Sequence, residues 1–250
     1  MTEPSPGVAG FAAARAAVLA RIEAACARSG RAPGDVSLVA VSKTVDAARL
    51  RDAVDAGLTL FGENRVQEGA AKAPEVPGAR WQLVGPLQSN KARRALEVYE
   101  AIQSVDSAGL AERLDRLARE VRGAGPANRY PVLLQVNVDD DPAKAGFAPE
   151  ALPEALRHLA ALEALDVRGL MTIGRLVDSA EAARRTFVTL RELGERLRAS
   201  GAALGPDLSM GMSEDFEVAI EEGATIVRVG RAIFGERPHQ HGSGPVDHTH

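Results

Sequence analysis

Residues 36–56 read VSLVAVSKTVDAARLRDAVDA. The run Val36–Val41 is short, apolar and rich in β-branched side chains, and polar residues bound it, which is the pattern of a buried strand. Ala47–Ala56 follows with helical spacing of its apolar positions. A strand followed by a helix is one β-α unit, and the unit recurs along the chain.

Further apolar runs lie at Leu58–Phe61, Trp81–Val84, Ala101–Val105, Val132–Val138, Val167–Ile173, Leu208–Met210 and Thr225–Val229. Helical patterns separate most of them, at Ser89–Glu97, Leu110–Val121, Ala151–Leu162 and Ala180–Ala199. Eight strands with helices between them predict a parallel sheet covered by helices, and in about 200 residues a (β/α)8 barrel. An open doubly wound sheet is the rival, but no Gly-x-Gly-x-x-Gly turn follows the first strand, which weakens its dinucleotide-binding version. An additional alanine-rich helix is predicted from Val8 to Ser29, ended by Gly30.

No linker divides the chain, so residues 1–235 are expected to form one domain. Residues 236–250 carry four of the five histidines among Pro, Gly and Ser and are expected to form a disordered tail, where a metal would bind only adventitiously. The net charge of -4 and the absence of a basic stripe argue against nucleic acid as a partner. No apolar run reaches the roughly 18 residues that span a bilayer, and the first residues lack the layout of a signal peptide. Cys26 is the one cysteine, which fits a reducing cytoplasm. A monomer is the expected state.

In such a barrel, function gathers at the C-terminal ends of the strands. The first strand delivers Lys43. Two readings fit it: a desolvated amine ready to attack a carbonyl, or a lysine reaching solvent from a strand end. The seventh and eighth strands end in Met210-Gly211-Met212-Ser213 and Gly230-Arg231-Ala232. Glycine-rich turns that open helices supply converging N–H donors for a phosphate, and barrels often place that site after these two strands. Ser213 is equally readable as an N-cap. Arg228, inside a core strand, requires a partner: a carboxylate such as Glu63, or a ligand. His158 is the only histidine before the tail, so no Ser-His-Asp triad forms, and Asp139-Asp140-Asp141 reads as a solvated loop.

Six segments, taken in order, resemble the pyridoxal phosphate homeostasis proteins. They are Val41–Thr44, Phe61–Glu68, Gly85–Lys91, Gly169–Ile173, Leu208–Ser213 and Val227–Gly235. These proteins are similar in fold to the barrel domain of alanine racemase, the type III arrangement of proteins that use pyridoxal 5'-phosphate (PLP). The resemblance implies that Lys43 carries PLP as an internal aldimine. It also implies that Ser213, Gly230 and the backbone at Arg231 hold the phosphate, that Arg228 faces the pyridine nitrogen, and that Asn64 lies near the ring. An arginine there keeps the ring nitrogen unprotonated and the ring a poor electron sink. One departure is Val45-Asp46, where many relatives have Lys-Pro.

The function implied is intracellular PLP homeostasis, buffering the cofactor or delivering it to apo PLP-dependent enzymes, without substantial turnover. The alternative is a racemase-like PLP enzyme. Such enzymes add a β-domain, for which the chain has no room after Gly235. They also need a second proton-transfer group, and neither Tyr99 nor Tyr130 lies at a clear strand end. A Schiff-base aldolase is a third reading, disfavoured by the six segments.

Overall fold

The structure is a computed structural model that describes residues 6–123, 125–175 and 177–235; the expected tail lies outside them. The strands β1 (Ser37–Val41), β2 (Leu60–Glu63), β3 (Arg80–Leu83), β4 (Ala101–Val105), β5 (Tyr130–Gln135), β6 (Leu165–Met171), β7 (Asp207–Ser209) and β8 (Ile226–Val229) form a closed barrel in chain order. All pairings are parallel, and β8 closes on β1 with Val39 opposite Arg228. Around the barrel run α2 (Ala47–Asp55), α3 (Val66–Lys72), α4 (Ala92–Val98), α5 (Ala108–Arg122), α6 (Leu152–Leu159), α7 (Arg184–Ala199), α8 (Phe216–Glu221) and the short α9 (Arg231–Phe234). The (β/α)8 expectation holds.

The predicted N-terminal helix is α1 (Gly7–Arg28). It lies over the seam where the barrel closes. Phe11 meets Phe234 edge-on at 5.7 Å, and the Arg21 and Arg28 guanidinium groups pair with Glu217 and Glu221 on α8 at 2.6 and 2.7 Å.

The predicted strand bounds shift by one to three residues in every strand but β4, and two of the shifts have local reasons. Leu58 was expected in β2, but it ends α2: the Leu58 N–H donates to the Ala53 carbonyl at 2.9 Å and Gly57 takes φ +86°, the left-handed closure that glycine permits. β5 was expected to reach Val138, but beyond Gln135 only an isolated bridge from Val136 to Phe147 remains.

Strand alternation sends successive side chains to opposite faces. The outward set forms the sheet–helix core, where Phe61 packs on Trp81 at 5.4 Å. The inward set is identified by bonds across the barrel. Gln103 on β4 meets Ser209 on β7, a strand it does not neighbour in the sheet. Val39 shares that interior: a Cβ added at Gly62 would lie 2.8 Å from Val39 and 3.3 Å from Val84. Glycine makes room there for two branched side chains.

Candidate functional site at the C-terminal end of the barrel

Lys43 lies in the turn that follows β1 at the C-terminal end of the barrel, and it is half-buried. Its peptide is gripped from α3. The Ser42 hydroxyl donates to Glu63 Oε1 at 2.8 Å, and Lys72 Nζ donates to Glu63 Oε1 at 2.7 Å and to the Ser42 carbonyl at 3.0 Å. The Val45 N–H returns to the Ser42 carbonyl at 3.0 Å, closing a tight turn in which Thr44 takes φ +68°. A β-branched residue held at positive φ is strained by about 1–3 kcal/mol. Glu68 Oε2 accepts from the Thr44 N–H at 3.4 Å, so three α3-side groups stabilise the strained turn after Lys43.

Glu63 is fully buried and its Oε2 has no hydrogen-bond partner. Burial pushes its carboxyl above the usual value, against the pull of Lys72. Glu63 therefore does not pair with Arg228, as the sequence suggested it could. On β2 the inward residues are Leu60 and Gly62, Glu63 faces outward to α3, and Asn64 follows the strand's C-terminal end. Asn64 is half-buried, with its backbone so close to Gly85 that a Cβ there would lie 2.3 Å from the Asn64 carbonyl oxygen.

Arg228 is buried inside the barrel. Its Nη1 donates to Ser209 Oγ at 2.6 Å and its Nη2 to the Thr172 carbonyl at 2.7 Å. Burial brings its pKa down to about 10, and the nearby Asp215 charge opposes that. No carboxylate is bonded to it among the described residues.

Ser213 is not an N-cap. α8 begins three residues later, and Asp215 accepts instead from the Met212 N–H at 2.6 Å. The Ser213 hydroxyl oxygen accepts from the Gly230 N–H at 3.2 Å and the Ala232 N–H at 3.5 Å. Two backbone donors at the head of α9 thus converge on one oxygen, and a phosphate oxygen is a stronger acceptor of the same geometry. Gly211 sustains the turn at φ +88°, where a Cβ would lie 2.6 Å from the Ala219 Cβ. The Arg231 side chain is exposed and paired with Glu214 at 3.3 Å, which leaves only its main chain for the site.

The residues with competing claims are spent elsewhere. The Tyr99 hydroxyl donates to the Arg65 carbonyl and that of Tyr130 to the Tyr99 carbonyl. Both are buried, which pushes both phenols well up. His158 is exposed beside Glu112 at 2.6 Å. Asp139 accepts from the Arg175 N–H and the Thr186 hydroxyl, and no group of metal-ligating residues occurs among the described residues.

Residues 15–238 match the family model described as alanine racemase, N-terminal domain. The pyridoxal phosphate homeostasis protein of Pseudomonas aeruginosa is 45% identical over 227 residues, covering 89% of this chain and 94% of its own. The chain belongs to the pyridoxal phosphate homeostasis protein family. PipY of Synechococcus elongatus, solved with PLP bound, is 42% identical with a TM-score of 0.74, covering 86% of this chain and all of its own. An alanine racemase of Clostridium difficile shares the fold at 16% identity and a TM-score of 0.68, and the match spans 59% of that chain.

Within this family pattern two features escaped the sequence reading. α3 is only seven residues long and contains Gly69, so its periodicity was too short to register, and Lys72 went unnoticed. At Val45-Asp46, Val45 is buried and the exposed Asp46 caps α2, its carboxylate accepting from the Arg49 N–H at 2.9 Å. The second feature is the row of polar side chains inside the barrel. Its signal was present as Gln82 and Gln103 at inward positions of otherwise apolar strands.

Proposed function

We propose that this chain binds PLP at the C-terminal end of the barrel, covalently through Lys43 as an internal aldimine, and serves PLP homeostasis inside the cell. The observation that carries the reading is the shared mouth. The half-buried Lys43, the buried Arg228 and the Gly230–Ala232 N–H pair at Ser213 all lie at the C-terminal ends of β1, β8 and β7. An amine, a cation and a phosphate cradle match an aldehyde, a ring nitrogen and a phosphate. PLP supplies a reactive aldehyde and an electron-accepting ring.

The chain's residues then divide the work. The Glu63–Lys72–Ser42 clamp fixes the peptide that presents Lys43. Arg228, whose pKa of about 10 still keeps it cationic near neutrality despite its burial, faces the ring nitrogen and disfavours its protonation. Ser213, Gly230 and the main chain at Arg231 hold the phosphate, and Asn64 borders the ring. Both tyrosine hydroxyls donate to backbone carbonyls, those of Arg65 and Tyr99, which argues against either as a second proton-transfer group. The relatives are named homeostasis proteins, and buffering or delivery of PLP to apo PLP-dependent enzymes, by a cytoplasmic monomer, is the role proposed here.

The test is direct. Wild-type protein loaded with PLP should keep its visible absorbance band through dialysis, and Lys43→Ala should lose it. A retained band in Lys43→Ala would refute the assignment. Amino-acid racemisation faster than roughly 1 per second would overturn the non-catalytic role.

A further inference from the structure

Barrel interiors are ordinarily filled by branched apolar side chains. Here one row is polar from end to end. Arg228 Nη1 donates to Ser209 Oγ at 2.6 Å, Ser209 Oγ donates to Gln103 Oε1 at 2.6 Å, Gln103 Nε2 donates to Gln82 Oε1 at 2.6 Å, and Gln82 Nε2 donates to Glu100 Oε1 at 3.0 Å. Glu100 also takes a two-point pair from Arg80, at 2.8 and 2.9 Å. The row starts at Arg228 beneath the candidate cofactor site. It ends in an opening of about 670 Å³ at the opposite, N-terminal mouth, lined in part by Arg80, Glu100, Arg168 and Asp207.

The two ends fix the sense of every bond between them. A guanidinium only donates, and an ionised carboxylate only accepts. Burial pushes the Glu100 carboxyl up, but the Arg80 and Gln82 hydrogen bonds outweigh it and hold the group below its usual value. With Glu100 accepting, Gln82 must present its amide nitrogen to it and its oxygen to Gln103. Gln103 must then turn its oxygen to Ser209. The single Ser209 proton is committed to Gln103, so its oxygen is left to accept from Arg228. A buried polar row of this kind is costly unless every member is satisfied, and every member is.

We propose that Gln82 and Gln103 are positioning residues for the cofactor site: they carry the acceptor of Glu100 across the barrel to Ser209 and thereby fix the orientation of Arg228. The inference rests on the placement of Arg228 at the PLP ring nitrogen. Its consequence is that a change at the N-terminal mouth is felt by the ring at the C-terminal mouth.

The experiment uses the full chain loaded with PLP labelled with 15N in the ring. The ring-nitrogen resonance and the PLP dissociation constant are measured for wild type, Gln103→Leu and Glu100→Gln, with the apo thermal midpoint as a control for folding. Gln103→Leu should weaken PLP about tenfold, equivalent to about 1.4 kcal/mol, and move the resonance. Glu100→Gln, at the half-exposed mouth, should move it the same way with about threefold weaker binding. Weaker binding with an unmoved resonance in both variants would mean ordinary core packing and would overturn the proposal. If Gln103→Leu does not fold, an unmoved resonance in Glu100→Gln overturns it alone. Arg228→Lys, run in parallel, separates the two claims. A resonance unmoved there sinks the ring placement of Arg228, whereas one moved there and unmoved in the relay variants sinks the relay.

Discussion

Replacing Lys72 by Met strands a buried carboxylate. Glu63 is fully buried, its Oε2 has no partner, and its Oε1 would keep only the Ser42 hydroxyl. Removing one partner of a buried pair costs about 3–5 kcal/mol. The Lys72 side chain is 13% exposed, so water can enter its place, and about 3 kcal/mol is expected at pH 7.5. For a chain of this size that lowers the thermal midpoint by roughly 6–12 °C. The loss should depend on pH with a definite sign. The folded Glu63 carboxyl lies above its ordinary value, so the fold holds this proton more tightly than the unfolded chain does. Its stabilising effect is fully present below the ordinary value and is lost as pH rises through the folded one. Without Lys72 the folded value rises further, so the deficit should shrink from pH 7.5 toward pH 5. The double variant Lys72→Met with Glu63→Gln should recover most of the loss. A neutral amide needs no counter-charge, and its NH2 can take the Ser42 carbonyl that Lys72 vacates. Urea unfolding of the apo protein at both pH values reads all of this. An equal deficit at both, with no recovery in the double variant, would refute the clamp as described.

Three further outcomes are expected. Ser213→Ala should weaken PLP roughly tenfold in an absorbance titration, because the loss of one hydrogen bond to an ionised group is worth about 1.5 kcal/mol; unchanged affinity removes Ser213 from the cradle. Gly211→Ala should destabilise the apo protein by about 2–3 kcal/mol in urea, since the new methyl meets Ala219 at 2.6 Å on a backbone at φ +88°. Tyr99→Phe and Tyr130→Phe should each cost about 1 kcal/mol in stability and leave PLP content unchanged; loss of the bound cofactor without loss of stability would give a tyrosine a role at the site.

The barrel was legible because eight short apolar runs alternate with helical spacing, and burial on both faces of a parallel sheet forces that pattern. Lys43, Ser213, Arg228 and Gly230 were legible because polar or glycine residues at strand ends break it. Partners were not. Glu63 and Arg228 sit on β2 and β8, the two strands that flank β1, yet the two-residue alternation turns Glu63 out to α3 and Arg228 into the barrel. Ser213 looked like a cap because acids follow it, but the turn at Gly211 delays α8 to Phe216 and leaves its hydroxyl facing the head of α9. Lys72 was hidden in a seven-residue helix, and the Gln82–Gln103–Ser209 row could be joined only once β4 and β7 were known to face each other across the barrel.

The measurement that tests the central claim most directly is borohydride reduction of the PLP-loaded protein, followed by peptide mapping of the phosphopyridoxyl group. The account predicts one modified residue, Lys43, with loss of the visible band on reduction. Modification spread over surface lysines, or centred on Lys72 or Lys144 with Lys43 untouched, would contradict it.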